Sequence, residues 1–352
     1  MDKIISVANM YFKPDAKISD DEYLRTYNIF RYGDIAFEGN KSKNYAFGRF
    51  VENTIGDGIV SHVFVVFRPV QPSHNLGYWK YAINNENVMG RILARCTKKT
   101  TMMTNLVAED FLEEEILCPS AEEQTKISTF LELLDKKIES QTKLVEHLKK
   151  YKRGLLSSLL DKEEWQTVLL QDVASGFEYG MNSAATEYDG KHKYIRITDI
   201  DESTHKYIST ECVSPSDLPD AKYKVEENDI LFARTGASVG KSHIYDSRNG
   251  ELYYAGFLIR ASVKPNFNSY FVYLNTLTLS YQRWVVLEST RSGQPGINAE
   301  QYRNYKFKCP PIEIQNKIAN IFIHFDLKLQ REQELLDYLL NYKKAMMQNI
   351  FV

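Results

Sequence analysis

A chain of 352 residues, 43% hydrophobic and 26% charged, is long enough for two or three folded domains and has the composition of neither a disordered nor a membrane-spanning protein. No run approaches the ~18 apolar residues of a membrane helix, and the opening MDKIISVAN has no cleavable signal pattern, so a cytoplasmic protein is expected. A formal net charge of −2 is poor for a chain that holds a polyanion unaided, and Cys96, Cys118, Cys212 and Cys309, with no C-x-x-C pair, argue against a zinc site.

The first stretch, residues 1–120, reads as short strands and turns. Tyr32-Gly33-Asp34-Ile35-Ala36-Phe37 is a turn entering a strand, residues 53–58 a loop, and 59–67 a β-branched and aromatic strand. Residues 76–82 suit a short helix, while 89–104 fits either class.

Residues 121–161 carry apolar side chains in alternating steps of three and four: Ile127, Leu131, Leu134, Ile138, Val145, Leu148, Leu155 and Leu159, interrupted by Gln141. Such a seam along one helix requires a partner helix. Ser120 with Glu123 fits a capping box at its start. After the charged break at 161–164, a second globular region spans 162–310. Within it 193–200 and 253–263 read as strands and 270–286 as helical. Glu226-Glu227-Asn228-Asp229-Ile230 answers the Gly-Asp-Ile element of the first region. A second long helix is expected over 311–352, with Pro311 in its first turn and a seam of Ile318, Phe322, Phe325, Leu329, Leu336, Leu339, Met346 and Ile350.

The two helical stretches are one sentence written twice at a constant offset of 191 residues. Cys118-Pro119 returns as Cys309-Pro310, and Gln124, Lys126 and Ile127 as Gln315, Lys317 and Ile318. Asp135 and Lys137 return as Asp326 and Lys328, and Tyr151-Lys152 as Tyr342-Lys343. An ungapped match over some forty residues is an internal duplication. Glu332 takes the place of Gln141, a polar position that either sets register or breaks the seam, and Gly154 stands where the second copy has Ala345. Two readings of the helices compete. Each packs only on its own domain, or the two pair antiparallel about an approximate internal two-fold, which is preferred. At about 1.5 Å per residue, roughly 39 helical residues reach about 58 Å, the length of a spacer.

No chemistry of catalysis is spelled out. Gly236-Ala237-Ser238-Val239-Gly240-Lys241-Ser242 has three residues between its glycines where a phosphate-binding loop needs four, and no H-E-x-x-H or G-x-S-x-G occurs. Cys309-Pro310-Pro311-Ile312 lacks both the polar first and the aromatic last residue of an amino-methyltransferase motif.

The duplicated motifs carry a resemblance. Pro119…Glu122-x-Gln124 and Pro310-Pro311-Ile312-Glu313-Ile314-Gln315 lead into Phe130-Leu131-x-x-Leu134-Asp135 and Phe322-x-x-Phe325-Asp326. The ends are Leu148-x-x-Tyr151-Lys152 and Leu339-x-x-Tyr342-Lys343. With these the chain resembles the specificity subunits of type I restriction-modification systems over essentially its whole length. The resemblance implies an α+β protein with two target-recognition domains, 1–120 and 162–310. They are spaced by conserved helices at 121–161 and 311–352, which pair as an antiparallel coiled coil. It implies a non-catalytic subunit that reads a split target in double-stranded DNA and recruits two methyltransferase subunits, with restriction subunits as an optional addition. No cofactor is its own: S-adenosylmethionine belongs to the methyltransferases, and ATP and magnesium to the restriction subunits. The segment from Trp165 to about Lys193 has no counterpart before Met1, so the first recognition domain is expected to be shortened at its start.

DNA-contacting residues vary in this family and do not transfer, so candidates rest on charge, bidentate capacity and Gly-rich surroundings. They are Asn40, Lys41, Lys43, Arg49 and His62 in the first domain, and Lys191, Lys193, Arg234, Thr235, Ser238, Lys241, Arg291, Ser292 and Gln294 in the second. A coiled-coil scaffold without DNA contact, and an autonomous enzyme, are the competing classes.

Overall fold

The structure is a computed structural model that describes residues 3–14, 21–42, 44–70, 75–99, 103–290 and 295–351. The expected long helices span Ala121–Leu160 and Ile312–Ile350. The chain divides into two compact units, residues 1–143 with 333–352, and residues 144–332, so each unit takes a part of each long helix.

In the first unit strand Ile35–Glu38 lies between Arg49–Glu52 and Val66–Phe67, all antiparallel, and Asn28–Phe30 pairs with Gly58–Val60. Helix Glu86–Cys96 places Met89, Ile92, Leu93 and Cys96 on one face and buries them against Phe37 and Phe50. The ambiguous stretch 89–104 is therefore helix as far as Cys96, then the hairpin Thr97–Lys99 with Thr104–Leu106. The single strand expected over 59–67 is broken: the chain turns at Ser61, whose carbonyl accepts from Phe64 N–H at 3.0 Å.

The second unit holds a four-stranded sheet in the order Ala174–Tyr179, Leu258–Val263, Asp229–Ala233, Ser242–Ile244, and a separate pair Gln166–Leu169 with Lys306–Cys309. Three elements are shorter than the residue pattern suggested. Residues 193–200 form a strand only to Ile195. There Arg196 and Asp199 close a 3-10 turn, with the carboxylate accepting from both the backbone N–H (2.8 Å) and the guanidinium of Arg196. Residues 253–263 split at Gly256 into strands of different sheets, and 270–286 splits into helices Ser269–Asn275 and Leu279–Ser289. Thr278 restarts the chain by capping Tyr281 N–H.

The two Asp-Ile elements are built alike. Asp34 accepts from Arg31 N–H at 2.7 Å and Asp229 from Glu226 N–H at 2.8 Å. The residue before each aspartate, Gly33 (φ 84°) or Asn228 (φ 72°), is left-handed, a conformation that Gly and Asn tolerate best.

Within each unit the long-helix segments pack on each other and on a domain helix. In the first, Ile127 and Leu131 meet Met347, Ile350 and Phe351 beside Tyr78, Tyr81 and Ala82 of helix Leu76–Ala82. Asp135 is bridged to Lys343 and accepts from Tyr81 OH at 2.7 Å. Low numbers on one helix meet high numbers on the other, so these segments run in opposite directions. In the second unit Lys152 bridges Asp326 at 2.6 Å, Tyr270 OH donates to the same carboxylate at 2.6 Å, and Tyr151 stacks on Phe325. Seam residues Leu131, Leu134, Val145, Ile318, Phe322 and Leu336 are buried, and Ile127, Ile138, Leu148, Phe325, Leu329 and Leu339 half-buried. Gln141 is buried within its seam and Glu332 half-buried.

Candidate nucleic-acid interface

Most described candidate residues gather at one hairpin in each unit. In the second unit it joins Asp229–Ala233 to Ser242–Ile244. Arg234 leaves the sheet with its guanidinium 4.7 Å over the ring of Tyr179. Its N–H donates to Phe257 O (3.0 Å) and its carbonyl accepts from Ile297 N–H (2.9 Å). Thr235 bridges Gly296, so the hairpin end is stitched to the segment that follows residues 291–294. Gly236 (φ 74°) has open space around it, whereas a Cβ on Gly240 would collide with Val285 at 2.5 Å.

A guanidinium resting on an exposed aromatic face keeps its N–H groups free for a planar acceptor, a base edge or a phosphate. Tyr179 and Phe257, both exposed, complete this cluster. Sequence reasoning passed over them because they lie 55 and 23 residues from Arg234; the glycines beside them, Gly180 and Gly256, were the available signal of close backbone approach.

Lys241 differs. It is 8% exposed, its Nζ donates to Ile200 O at 3.0 Å and is bridged to Glu202, and Ser238 Oγ lies 3.5 Å from the same carboxylate. Its ammonium holds the hairpin to the 200–202 segment. Lys193 is similarly occupied, donating to Asn249 O at 2.6 Å, while the Lys191 side chain is exposed. Beside Lys191, N–H groups of His192 and Lys191 and the His192 ring hold the Asp189 carboxyl well below the usual carboxylate range.

In the first unit the corresponding hairpin joins Ile35–Glu38 to Arg49–Glu52. Arg49 pairs with the buried Glu38 at 2.7 Å, donates to Ala8 O at 2.9 Å and lies over the Tyr45 ring; Asn40 donates weakly to Glu38 at 3.4 Å. Lys41 is exposed and occupies the same turn. His62 stands apart, edge-on to Tyr23. Lys43, Arg291, Ser292 and Gln294 lie outside the described residues. Among the described residues no group of three or more His, Cys, Asp or Glu side chains is arranged to hold a metal ion.

Comparison with known proteins bears on what these hairpins serve. Two curated relatives come from Methanocaldococcus jannaschii: the type I restriction enzyme MjaVIII specificity subunit, 24% identical over 195 residues, and a chain described provisionally as the MjaX specificity subunit, 26% identical over 198 residues. Each match takes in 54% of this chain but 42% and 46% of the relatives, so the chain matches less than half the length of either. Among solved structures, the S subunit of a type I restriction-modification system from M. genitalium superposes with a TM-score of 0.59 at 16% identity, over 93% of this chain and 84% of that one. A chain from a structural study of complex assembly and conformational transition in the type I R-M system gives 0.56 at 16% identity, over 92% and 83%. At such identity these likenesses speak to the fold. The family model described as the type I restriction modification DNA specificity domain matches residues 162–340, just over half of the chain, and the protein belongs to that family.

Proposed function

We propose that the chain is the non-catalytic sequence-specificity subunit of a type I restriction-modification complex. It reads a two-part target in double-stranded DNA and positions two methyltransferase subunits, with restriction subunits joining where the system cleaves. The family match over residues 162–340 carries this reading. In it residues 1–120 and 162–310 are recognition domains. The helices 121–161 and 311–352 form an antiparallel coiled coil about an internal two-fold at offset 191. The ion pairs Asp135–Lys343 and Lys152–Asp326, which exchange under that offset, support the two-fold. A helix of about 58 Å compares with some 17 bp at about 3.4 Å each, a suitable ruler for a split site. S-adenosylmethionine, ATP and magnesium belong to the partners, as does flipping of the adenine to be methylated, and the location is cytoplasmic. The modest net charge fits if the methyltransferases share the phosphate contacts.

Methylation-sensitive sequencing of cells that carry the gene tests this reading: a split adenine motif should appear and vanish on deletion, and an unchanged methylome would sink it. In the reconstituted complex, Arg234→Ala should lower discrimination at one base pair by about 1–3 kcal/mol. Uniform weakening over all sequences would place Arg234 on phosphate instead, and no change would remove it from the interface.

A further inference from the structure

Both hairpins end in a left-handed glycine followed by a cation. Gly48 (φ 87°) precedes Arg49, which stands opposite Glu38, and Gly240 (φ 83°) precedes Lys241, whose carbonyl accepts from Ala233 N–H at 2.8 Å. Each cation is bridged to a carboxylate, but the two pairs are buried the opposite way round. In the first unit the acid is the hidden member: the Glu38 side chain is 7% exposed and that of Arg49 31%. In the second the base is hidden, with the Lys241 side chain 7% exposed and that of Glu202 79%. An ammonium taken out of water needs fixed acceptors, and Lys241 Nζ finds them in Ile200 O and Glu202 Oε1.

The backbone of Glu202 is held as well. It lies in the turn between Ile200 and Tyr207, which bridge each other. The Asp201 carboxylate accepts from the N–H groups of Ser203 (3.0 Å) and Thr204 (2.7 Å), and Asp201 N–H donates to Lys206 O at 2.9 Å. His205 Nδ1 lies 2.9 Å from Ser242 O, and His243 Nδ1 lies 2.9 Å from His205 O. The turn is thereby fixed to strand Ser242–Ile244 of the hairpin that carries Arg234. Ser238 Oγ approaches Glu202 Oε1 at 3.5 Å, and no hydrogen bond among the described residues engages Oε2. One oxygen is anchored, and the other is an acceptor in an exposed side chain beside the hairpin end.

A carboxylate at a surface that meets a polyanion is repelled by phosphate, and the buried ammonium offsets that charge. What the carboxylate does there that no cation can do is accept a hydrogen bond from an exocyclic amino group on a base edge. In the major groove cytosine offers its N4 amino group with no acceptor on the same base edge. Adenine sets N7 beside its N6 amino group, which repels a carboxylate, while thymine and guanine present O4 and O6. We propose that Glu202 reads a cytosine through its N4 amino group in the major groove, with Lys241 as the positioning residue that holds and neutralises the carboxylate. Such a role presupposes that the chain is a DNA sequence-specificity subunit.

The complex with its methyltransferase subunits is titrated with duplexes carrying the split target found by methylation sequencing, each base pair substituted in turn, and with an unrelated duplex. In Glu202→Gln the amide turns its oxygen to Lys241 and its NH2, a donor, to the base. The variant should therefore lose about tenfold of the preference for C·G over T·A at one base pair. It should bind the unrelated duplex as tightly as the wild type or more tightly, since a negative charge has gone. Lys241→Met should lose the preference at the same base pair and bind the unrelated duplex more weakly, an opposite sign that an ion pair of purely structural use would not produce. Wild-type preference at every base pair in Glu202→Gln would overturn the proposal, as would equal weakening on all duplexes. A loss confined to an A·T pair would overturn the assignment to cytosine. A wild-type complex that binds target and unrelated duplex alike would overturn the specificity reading itself, and this role with it.

Discussion

The two units share their helices and differ in their strands. Helices Leu76–Ala82 and Ser269–Asn275 have seven residues each, Glu86–Cys96 and Leu279–Ser289 eleven each, and Ala108–Leu112 and Ala299–Arg303 five each. Asn75 and Asn268 cap equivalent starts, each accepting from the backbone N–H three residues on. The sheets are less alike: Ile35–Glu38 belongs to a three-stranded sheet in one unit and Asp229–Ala233 to a four-stranded sheet in the other, with different residues in the hairpins. Of the repeated helices, Leu76–Ala82 and Ser269–Asn275 pack on the long helices, while the hairpin surface is among the parts that vary. That division suits a protein in which the frame is held constant while the surface that meets its target changes.

The comparison breaks most sharply in the core. Leu131 and Phe322 occupy equivalent seam positions and are both fully buried, but Phe322 belongs to the large core of its unit and Leu131 to a small cluster. Phe322→Ala should cost about 3–5 kcal/mol and Leu131→Ala about 2–5 kcal/mol, the former being the larger. Trp79 reports the first unit and Trp165 and Trp284 the second, so urea unfolding followed by fluorescence assigns each loss. Equal loss from every tryptophan in both variants would mean that the units unfold as one.

Next comes a buried carboxylate of the first unit, Glu52. Among the described residues neither carboxylate oxygen of Glu52 has a hydrogen-bond partner, and burial, opposed by Lys80, pushes its pKa up to about 7. Below about pH 4.5 the carboxyl is protonated folded or unfolded and costs nothing. Between there and pH 7 the unfolded chain releases a proton that the folded one keeps, so stability falls as pH rises and levels off above 7, by about 2–3 kcal/mol in all. Glu52→Gln should flatten that profile and raise the melting temperature of the first unit at pH 8. An undiminished slope in the variant would mean that Glu52 is not its source. Asp229, also raised by burial, is held by Ser262 and Glu226 and should contribute less.

A smaller effect tests the equivalence of the two carboxylate latches. Asp135 with Lys343 and Tyr81, and Asp326 with Lys152 and Tyr270, are partly exposed pairs, so each ion pair should couple by about 1 kcal/mol. Double-mutant cycles on Asp135→Asn with Lys343→Met, and on Asp326→Asn with Lys152→Met, should agree within a few tenths of a kcal/mol. Coupling in one half alone would show that the latches are alike in geometry but not in energy.

Much of the frame was legible in the residues. A seam repeated at a constant offset, a capping box at Ser120 that forms with Glu123, and the Gly-Asp-Ile turn are all local signals. The breaks at Ser61 and Gly256 were not, because alternation continues through a position where the chain changes sheet, nor was the one at Thr276–Thr278, where apolar spacing runs on from one helix into the next. The kinship of the shorter helices was hidden too, since LGYWKYA and SYFVYLN share their length and an Asn cap rather than residues. At the hairpins, Arg234 was named as a candidate from its charge beside glycine. That Lys241 turns inward depends on Glu202, 39 residues away, and Arg49 is held in the same way by Glu38.

The gentlest test concerns Gly154 and its counterpart Ala345. A Cβ added at Gly154 meets nothing within 4 Å, and the residue sits inside helix Ala121–Leu160 with no left-handed φ to protect. Replacing it by alanine removes backbone freedom from the unfolded chain and should stabilise the protein by about 0.5–1 kcal/mol in urea titration. Ala345→Gly should cost a similar amount, provided that the second helix is as regular at that point as the first. A loss of stability in Gly154→Ala would show that the helix bends there and uses the glycine. The two copies would then differ in shape along their length, not only in the strands they carry.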